Sequence, residues 1–275
     1  MKTRIITAAV ALPLLLVILF FTPLIVFGCV AGLVAAIAAY EFLRCTEPEL
    51  SRSTLIIAAL LAAMQTTGAA YTQSNVISHS ALFLLMLFVF MDLIFSFRNE
   101  EPVTLESVMS VIFAAGIVPY MLSSLVRLGA GESGGVYILL PLIITMTCDS
   151  GAYFAGVTLG RHKLAPQVSP NKTIEGATGG FVCGTLCCML YGGILKFAGF
   201  EANFILLACY GFLGSLVSQI GDLAFSAVKR IVGIKDYGNL IPGHGGALDR
   251  FDSIIFVAPL VEILMLWVPA IWKLG

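Results

Sequence analysis

Charge is the scarcest commodity in this chain. Only 11% of its 275 residues are Asp, Glu, Lys or Arg, whereas 59% are apolar, and the mean hydropathy is +0.99. A soluble domain is about 25% charged, so a water-soluble fold is excluded and lipid must solvate much of the surface. A net charge of −1 says nothing about nucleic acid. There is no Pro- or Ser-rich linker, no low-complexity tract and no repeat, which reads as a single membrane domain over 1–275. No G-x-x-x-x-G-K-[ST] occurs, so a P-loop is excluded. The seven cysteines lie almost entirely inside apolar runs and imply no disulfide framework. Cys183, Cys187 and Cys188 have helical spacing that could suit a metal, but small buried hydrophobes explain them.

What is abundant is long apolar sequence. A membrane helix needs roughly 20 mostly apolar residues. Runs of that kind occupy 54–71, 79–97, 108–127, 136–157, 177–198, 203–225 and 253–272. The opening block, 5–40, is too long for a cleaved signal peptide and awkward for one span; Thr22-Pro23 is a plausible turn between two. Cytoplasmic loops collect Lys and Arg. Nine spans divide these cations 12 to 3 between the two sides, whereas eight divide them 10 to 5. The expectation is therefore an all-α, polytopic membrane protein of about nine helices. Its N-terminus, 157–176 and 226–252 would face the cytoplasm, and the inner (plasma) membrane is its expected location. Glu41 and Asp92, near span ends, read as interfacial or capping residues. Gly176, Gly180 and Gly184 form a small-residue ridge suited to close helix packing.

Five of the six aspartates fall between 149 and 252, and an ionisable residue within a span is a functional candidate by default. Ser215, Ser218, Gln219, Asp222, Ser226 and Lys229 fall on one helical stripe. Such a seam must face other helices or a water-filled cavity, and its serines and Gln219 also suit interhelical bonding. The following segment holds Arg230, Lys235, Asp236, Gly238, Pro242, Gly243, His244, Gly245, Gly246, Asp249, Arg250 and Asp252. Its glycines permit tight turns and close backbone approach to a ligand. Cations and bare N–H groups suit phosphate oxygens. Carboxylates would repel phosphate unless a cation lies between, and Mg²⁺ on Asp222 and Asp249 resolves that conflict.

A second polar segment carries Asp149, then Arg161, His162 and Lys163, then Ser169, Lys172, Thr173 and Glu175. Thr145, Cys148, Asp149 and Ala152 share a helical face, which would turn Asp149 into a bundle. Ser169 to Thr173 reads as a loop entering a helix, a geometry that binds anions, although capping alone also accounts for Ser169 or Thr173. Lys172 beside them favours phosphate.

The run from Ser226 through Lys229-Arg230, Lys235-Asp236, Gly238, Pro242, His244-Gly245-Gly246, Asp249-Arg250 and Asp252 resembles the signature of the integral membrane phosphatidate cytidylyltransferases. Asp149-Ser-Gly-Ala-Tyr-Phe and Ser169-Pro-Asn-Lys-Thr-Ile-Glu-Gly are similar to other segments of that family. The likeness covers about 149–253, the expected catalytic region; Ala247 departs from the larger aliphatic residue usual there. The resemblance implies transfer of CMP from CTP to phosphatidic acid, with Mg²⁺ as cofactor, with or without a monovalent cation. Partners would be CTP, phosphatidic acid and the bilayer, with no nucleic acid, and with a homodimer left open. It implies metal ligation by Asp222 and Asp249, and phosphate neutralisation by Lys229, Arg230, Lys235 and Arg250. Substrate contacts would come from Asp149, Ser169, Lys172, Thr173, Ser226, Gly245 and Gly246. His244 is either a phosphate donor or a structural loop residue. The alternatives are a CTP-dependent lipid kinase and a secondary transporter, whose polar residues would spread over two repeated halves. A CDP-alcohol phosphotransferase is disfavoured, because its motif begins Asp-Gly and no such pair occurs.

Overall fold

In this computed structural model the residues described are 17–19, 21–71, 76–98, 102–131, 134–240 and 245–273. The expectations for Lys2, Arg4, most of the first half of the opening block, and Pro242, Gly243 and His244 lie outside them. The chain is mostly helical. Among the described residues, six helices are long and apolar enough to cross a membrane. They are α1 (Leu24–Thr46), α3 (Val76–Ser96), α4 (Leu105–Gly129), α5 (Gly135–Leu159), α6 (Ile174–Phe197) and α7 (Phe204–Val232). Helix α2 (Arg52–Gly68) has 17 residues, and α8 (Leu248–Trp267) carries Asp249, Arg250, Asp252 and Glu262. A break at Thr22-Pro23 precedes α1, where the sequence placed a turn.

Two compact units make up the fold. One comprises 1–130 and 234–251; the other comprises 131–233 and 252–275. In the first, α1 to α4 pack with the glycine-rich loop. Ser51 caps α2 by accepting from Thr54 N, and Thr104 caps α4 by accepting from Ser107 N. Glu47, at the end of α1, accepts from Ser107 and Ser110 of α4 at 2.6 and 2.8 Å. Within α4 the Phe113–Ile117 turn is a π-helix. Pro119 follows it; a proline ring conflicts with the carbonyl four residues back, and a widened turn relieves that conflict.

In the second unit α5, α6 and α7 meet through small residues. A Cβ at Gly151 would lie 2.6 Å from Cys183, and one at Gly211 would lie 2.6 Å from the Thr185 backbone. The ridge of Gly176, Gly180 and Gly184 faces Ala152, Cys148 and Ser215 respectively. This is the close approach that small residues permit. Cys188 and Cys148 are buried, and no cluster of His, Cys, Asp or Glu able to hold a metal occurs among the described residues.

Three boundaries differ from the sequence reading. Helix α7 runs past the expected span end at 225 to Val232 and ends where Gly233 adopts φ +79°, so Ser226 and Lys229 keep their place on the helical stripe and Arg230 is helical too. The seam keeps its period through Lys229, and nothing breaks the helix until that glycine. The segment Ser169–Thr173 is a strand, β2, paired antiparallel with β1 (Lys163–Ala165). Finally, α8 stops at Trp267, and β4 (Ile271–Lys273) pairs with β3 (Phe200–Ala202). The Tyr137 hydroxyl anchors that last turn, donating to Ile271 O and accepting from the N–H groups of Ala270 and Ile271.

Candidate active site

The polar seam of α7 turns inward, with Gln219 and Asp222 half-buried. Ser215, Ser218, Ser226 and Lys229 are buried, while Leu213, Leu216 and Ile220, turned away from the stripe, are exposed. An amphipathic pattern turned inside out in this way is what a helix in lipid requires. Gln219 bonds between helices, its Nε2 donating to Ala177 O at 3.0 Å. The serines do not: among the described residues the hydroxyl oxygens of Ser215 and Ser218 have no hydrogen-bond partner.

One turn beyond Ser218 stands Asp222. Its Oδ2 lies 2.5 Å from Lys172 Nζ, and its Oδ1 accepts from Ser226 Oγ at 3.2 Å. Lys172 arrives on β2, and the hairpin is tied down at both ends. Arg230 Nε donates to Val168 O at 3.1 Å. At the other end Glu175 accepts from Arg161 N and His162 N, and pairs with His162 Nδ1 at 2.6 Å. Thr173 caps α6, its Oγ1 accepting from Gly176 N at 3.1 Å. The capping reading therefore holds for Thr173. Glu175 was not singled out by sequence; a carboxylate in the first turn of a helix looks like a dipole partner.

A cavity of about 550 Å³ opens beside this pair, lined by Asp149, Tyr153, Asn171, Lys172, Gln219 and Asp222 among others. Its size is that of a small-molecule site. Of the residues singled out by sequence in this unit, Asp149, Lys172, Thr173 and Asp222 meet at this cavity. Thr145 and Cys148 are buried as expected, but Asp149 is exposed, because it fronts the cavity and not the packed bundle. Asp252, on α8, is within electrostatic range of Asp222, Lys229 and Asp149. Ser169 sits at the start of β2, half-buried.

In the other unit the glycine-rich segment folds about Asp249. Its Oδ2 accepts from Tyr237 N at 2.9 Å and from Gly246 N at 3.0 Å. Gly245 adopts φ +83°, a conformation costly for any residue with a Cβ. Lys235, Asp236 and Arg250 are exposed. A cleft of about 730 Å³ beside the loop is lined by Tyr40, Glu41, Arg44, Asp236 and Asn239 with apolar residues of α1 and α2. Sequence reasoning missed the part Glu41 plays. It is no interfacial residue: it is 7% exposed and its Oε2 accepts from Leu248 N at 3.0 Å.

The donors suit a hard divalent cation of one kind. Mg²⁺ is held by one or two carboxylates with substrate phosphates and water filling the rest. Asp222 and Asp149 beside an open cavity match that pattern; an all-protein cage would need more ligands than the described residues bring together.

The model of the cytidylyltransferase family matches residues 2–268 of this chain. A phosphatidate cytidylyltransferase of Staphylococcus haemolyticus is 36% identical over 271 residues, which are 97% of this chain and 99% of that protein. One of Staphylococcus epidermidis is 37% identical over 268 residues, with the same 97% and 99% coverage. Over 130 residues, 47% of this chain and 49% of the relative, identity to a Staphylococcus aureus phosphatidate cytidylyltransferase reaches 46%.

Proposed function

This chain belongs to the cytidylyltransferase family, and from that premise we propose that it is a phosphatidate cytidylyltransferase. Full-length similarity to proteins of that name carries the reading. A phosphate oxygen of phosphatidic acid attacks the α-phosphorus of CTP. The new P–O bond forms as the bond from the α-phosphorus to the bridging oxygen breaks, and pyrophosphate leaves with that oxygen. The products are CDP-diacylglycerol and pyrophosphate.

A phosphate monoester is already an anionic nucleophile at neutral pH, so the protein need not supply a strong base. Its work is positioning and charge neutralisation. The cavity at Lys172 and Asp222 is suited to phosphate groups, because it presents a lysine for phosphate oxygens beside a carboxylate that would hold Mg²⁺. Lys172 then turns to phosphate oxygens, and the anchored hairpin keeps it within reach. The resemblance assigns Asp222 and Asp249 to Mg²⁺; Asp222, beside the open cavity, would hold the ion together with substrate phosphates, and Mg²⁺ when bound would offset the negative charge of the triphosphate. Lys229, Arg230, Lys235 and Arg250 supply further positive charge. The 12-to-3 cation split supports a cytoplasmic position for the polar segments, where CTP is available.

Purified protein in detergent, given CTP labelled at the α-phosphorus, phosphatidic acid and Mg²⁺, should yield a labelled CDP-lipid and pyrophosphate. Diacylglycerol in place of phosphatidic acid should give nothing. Release of CDP with phosphorylation of diacylglycerol would instead mark a CTP-dependent kinase.

A further inference from the structure

Glu41 is a carboxylate on an apolar membrane helix, buried together with Ala38, Ala39, Phe42 and Leu43 of the same helix. The proposed chemistry does not use it, and burying such a group is costly unless the fold requires it. What it touches is the loop that carries Asp249. Its Oε2 takes the N–H of Leu248, the first residue of α8 and so one of the donors a helix start leaves unmet. The next residue is Asp249, whose Oδ2 takes two more backbone N–H groups of the same loop.

The contact is wider than one bond. A Cβ at either Gly238 or Gly246 would overlap the Glu41 carboxylate. Two of the loop's glycines are therefore explained by the protein's own side chain and not by a ligand. Phe42, the neighbour of Glu41, stacks on the Tyr237 ring with centroids 5.8 Å apart. Cys45, one turn on, donates its thiol to Tyr237 O at 3.1 Å. Glu41, Phe42 and Cys45 thus grip both arms of the loop, near Tyr237 and near Leu248.

We propose that Glu41 is a positioning residue: from the first helix it sets the conformation of the glycine-rich loop and thereby the place of the Asp249 carboxylate. Its effect on turnover rests on the reaction proposed above; its hold on the loop does not. The test therefore uses two readouts on the full chain in detergent. One is kcat and KM for CTP. The other, independent of activity, is the rate at which N-ethylmaleimide alkylates Cys45, followed on its peptide by mass spectrometry and normalised to the thiolate fraction from its pH dependence, so that loss of the Glu41 charge beside the thiol is not read as loop opening.

Glu41→Gln keeps an acceptor oxygen and the side-chain volume but loses the charge, and it is the variant expected to fold. It should lose at least ~10-fold in kcat, the scale of one charge-assisted hydrogen bond, with KM for CTP changed less. Cys45 should alkylate several-fold faster. Glu41→Ala should go further on both readouts where it folds, so that Gln is a partial rescue. Unchanged kcat and unchanged Cys45 protection in Glu41→Gln overturn the proposal. So does a lower melting temperature with kcat, KM and Cys45 protection all as in the wild type, which would make Glu41 a stability residue only. If the wild-type protein does not turn over CTP and phosphatidic acid, the proposed function fails, and Cys45 alkylation still decides whether Glu41 holds the loop.

Discussion

Asp222 is held between Lys172 on one oxygen and Ser226 on the other, and that balance explains how a carboxylate persists on an apolar helix. Asp249 solves the same problem differently, with backbone N–H groups of its own loop. Both substitutions Asp222→Asn and Asp249→Asn preserve size and remove charge. Losing one preorganised charge-stabilising group costs roughly 10²–10³ in rate, and each variant should lose at least that while eluting as folded protein in detergent. If the two aspartates act as one unit, the double variant should be little worse than either single one. Asp236, exposed beside Lys235, is the milder control as Asp236→Asn. Rates measured across a Mg²⁺ titration check this; wild-type turnover and Mg²⁺ dependence in Asp249→Asn would leave Asp249 as a loop brace alone.

The elements around the cavity are set by how closely α6 and α7 approach. A Cβ at Gly211 would meet the Thr185 Cα at 2.6 Å and the Gly184 carbonyl oxygen at 2.9 Å. Both neighbours are backbone atoms and cannot rotate away. Gly211→Leu should therefore push the helices apart, costing about 1–3 kcal/mol or more and lowering the melting temperature in detergent. Gly193, on α6, has nothing within 4 Å of the corresponding position. Gly193→Ala should leave stability unchanged or raise it by up to about 1 kcal/mol, the helix-propensity difference. Equal effects of the two would refute close packing as the reason for Gly211. The hairpin is the opposite case, since it has little core of its own and is held by Arg230 at one end and Glu175 at the other.

At the scale of the whole molecule, the distribution of Lys and Arg predicts a side of the membrane for each polar segment. Single cysteines in place of Gln167 and Asn239, both exposed, should be labelled from the cytoplasmic face of oriented membranes. The background should lack native cysteines. Gly160 is a poor choice for this experiment, because a side chain there would collide with the Gly156 carbonyl. Labelling of either site only from the external face would overturn the nine-span orientation.

Composition alone made this a helical membrane protein, because no arrangement of a chain that is 59% apolar can hide it from water. Helical spacing along α7 put Ser226, Asp222 and Gln219 on one stripe, and that stripe turns inward, with Ser226 buried and Asp222 and Gln219 half-buried, since lipid cannot satisfy it. Those features are local or statistical, so the sequence contains them. Only the tertiary structure decided that Lys172 reaches Asp222 across 50 residues of chain, that Ser169–Thr173 is a strand, and that Glu41 meets Leu248 across 207. A glycine written in a loop looks the same whether it admits a ligand or a distant side chain. Which of the two it admits depends on what the fold brings to its face, and for Gly238 and Gly246 that is a carboxylate from the far end of the sequence.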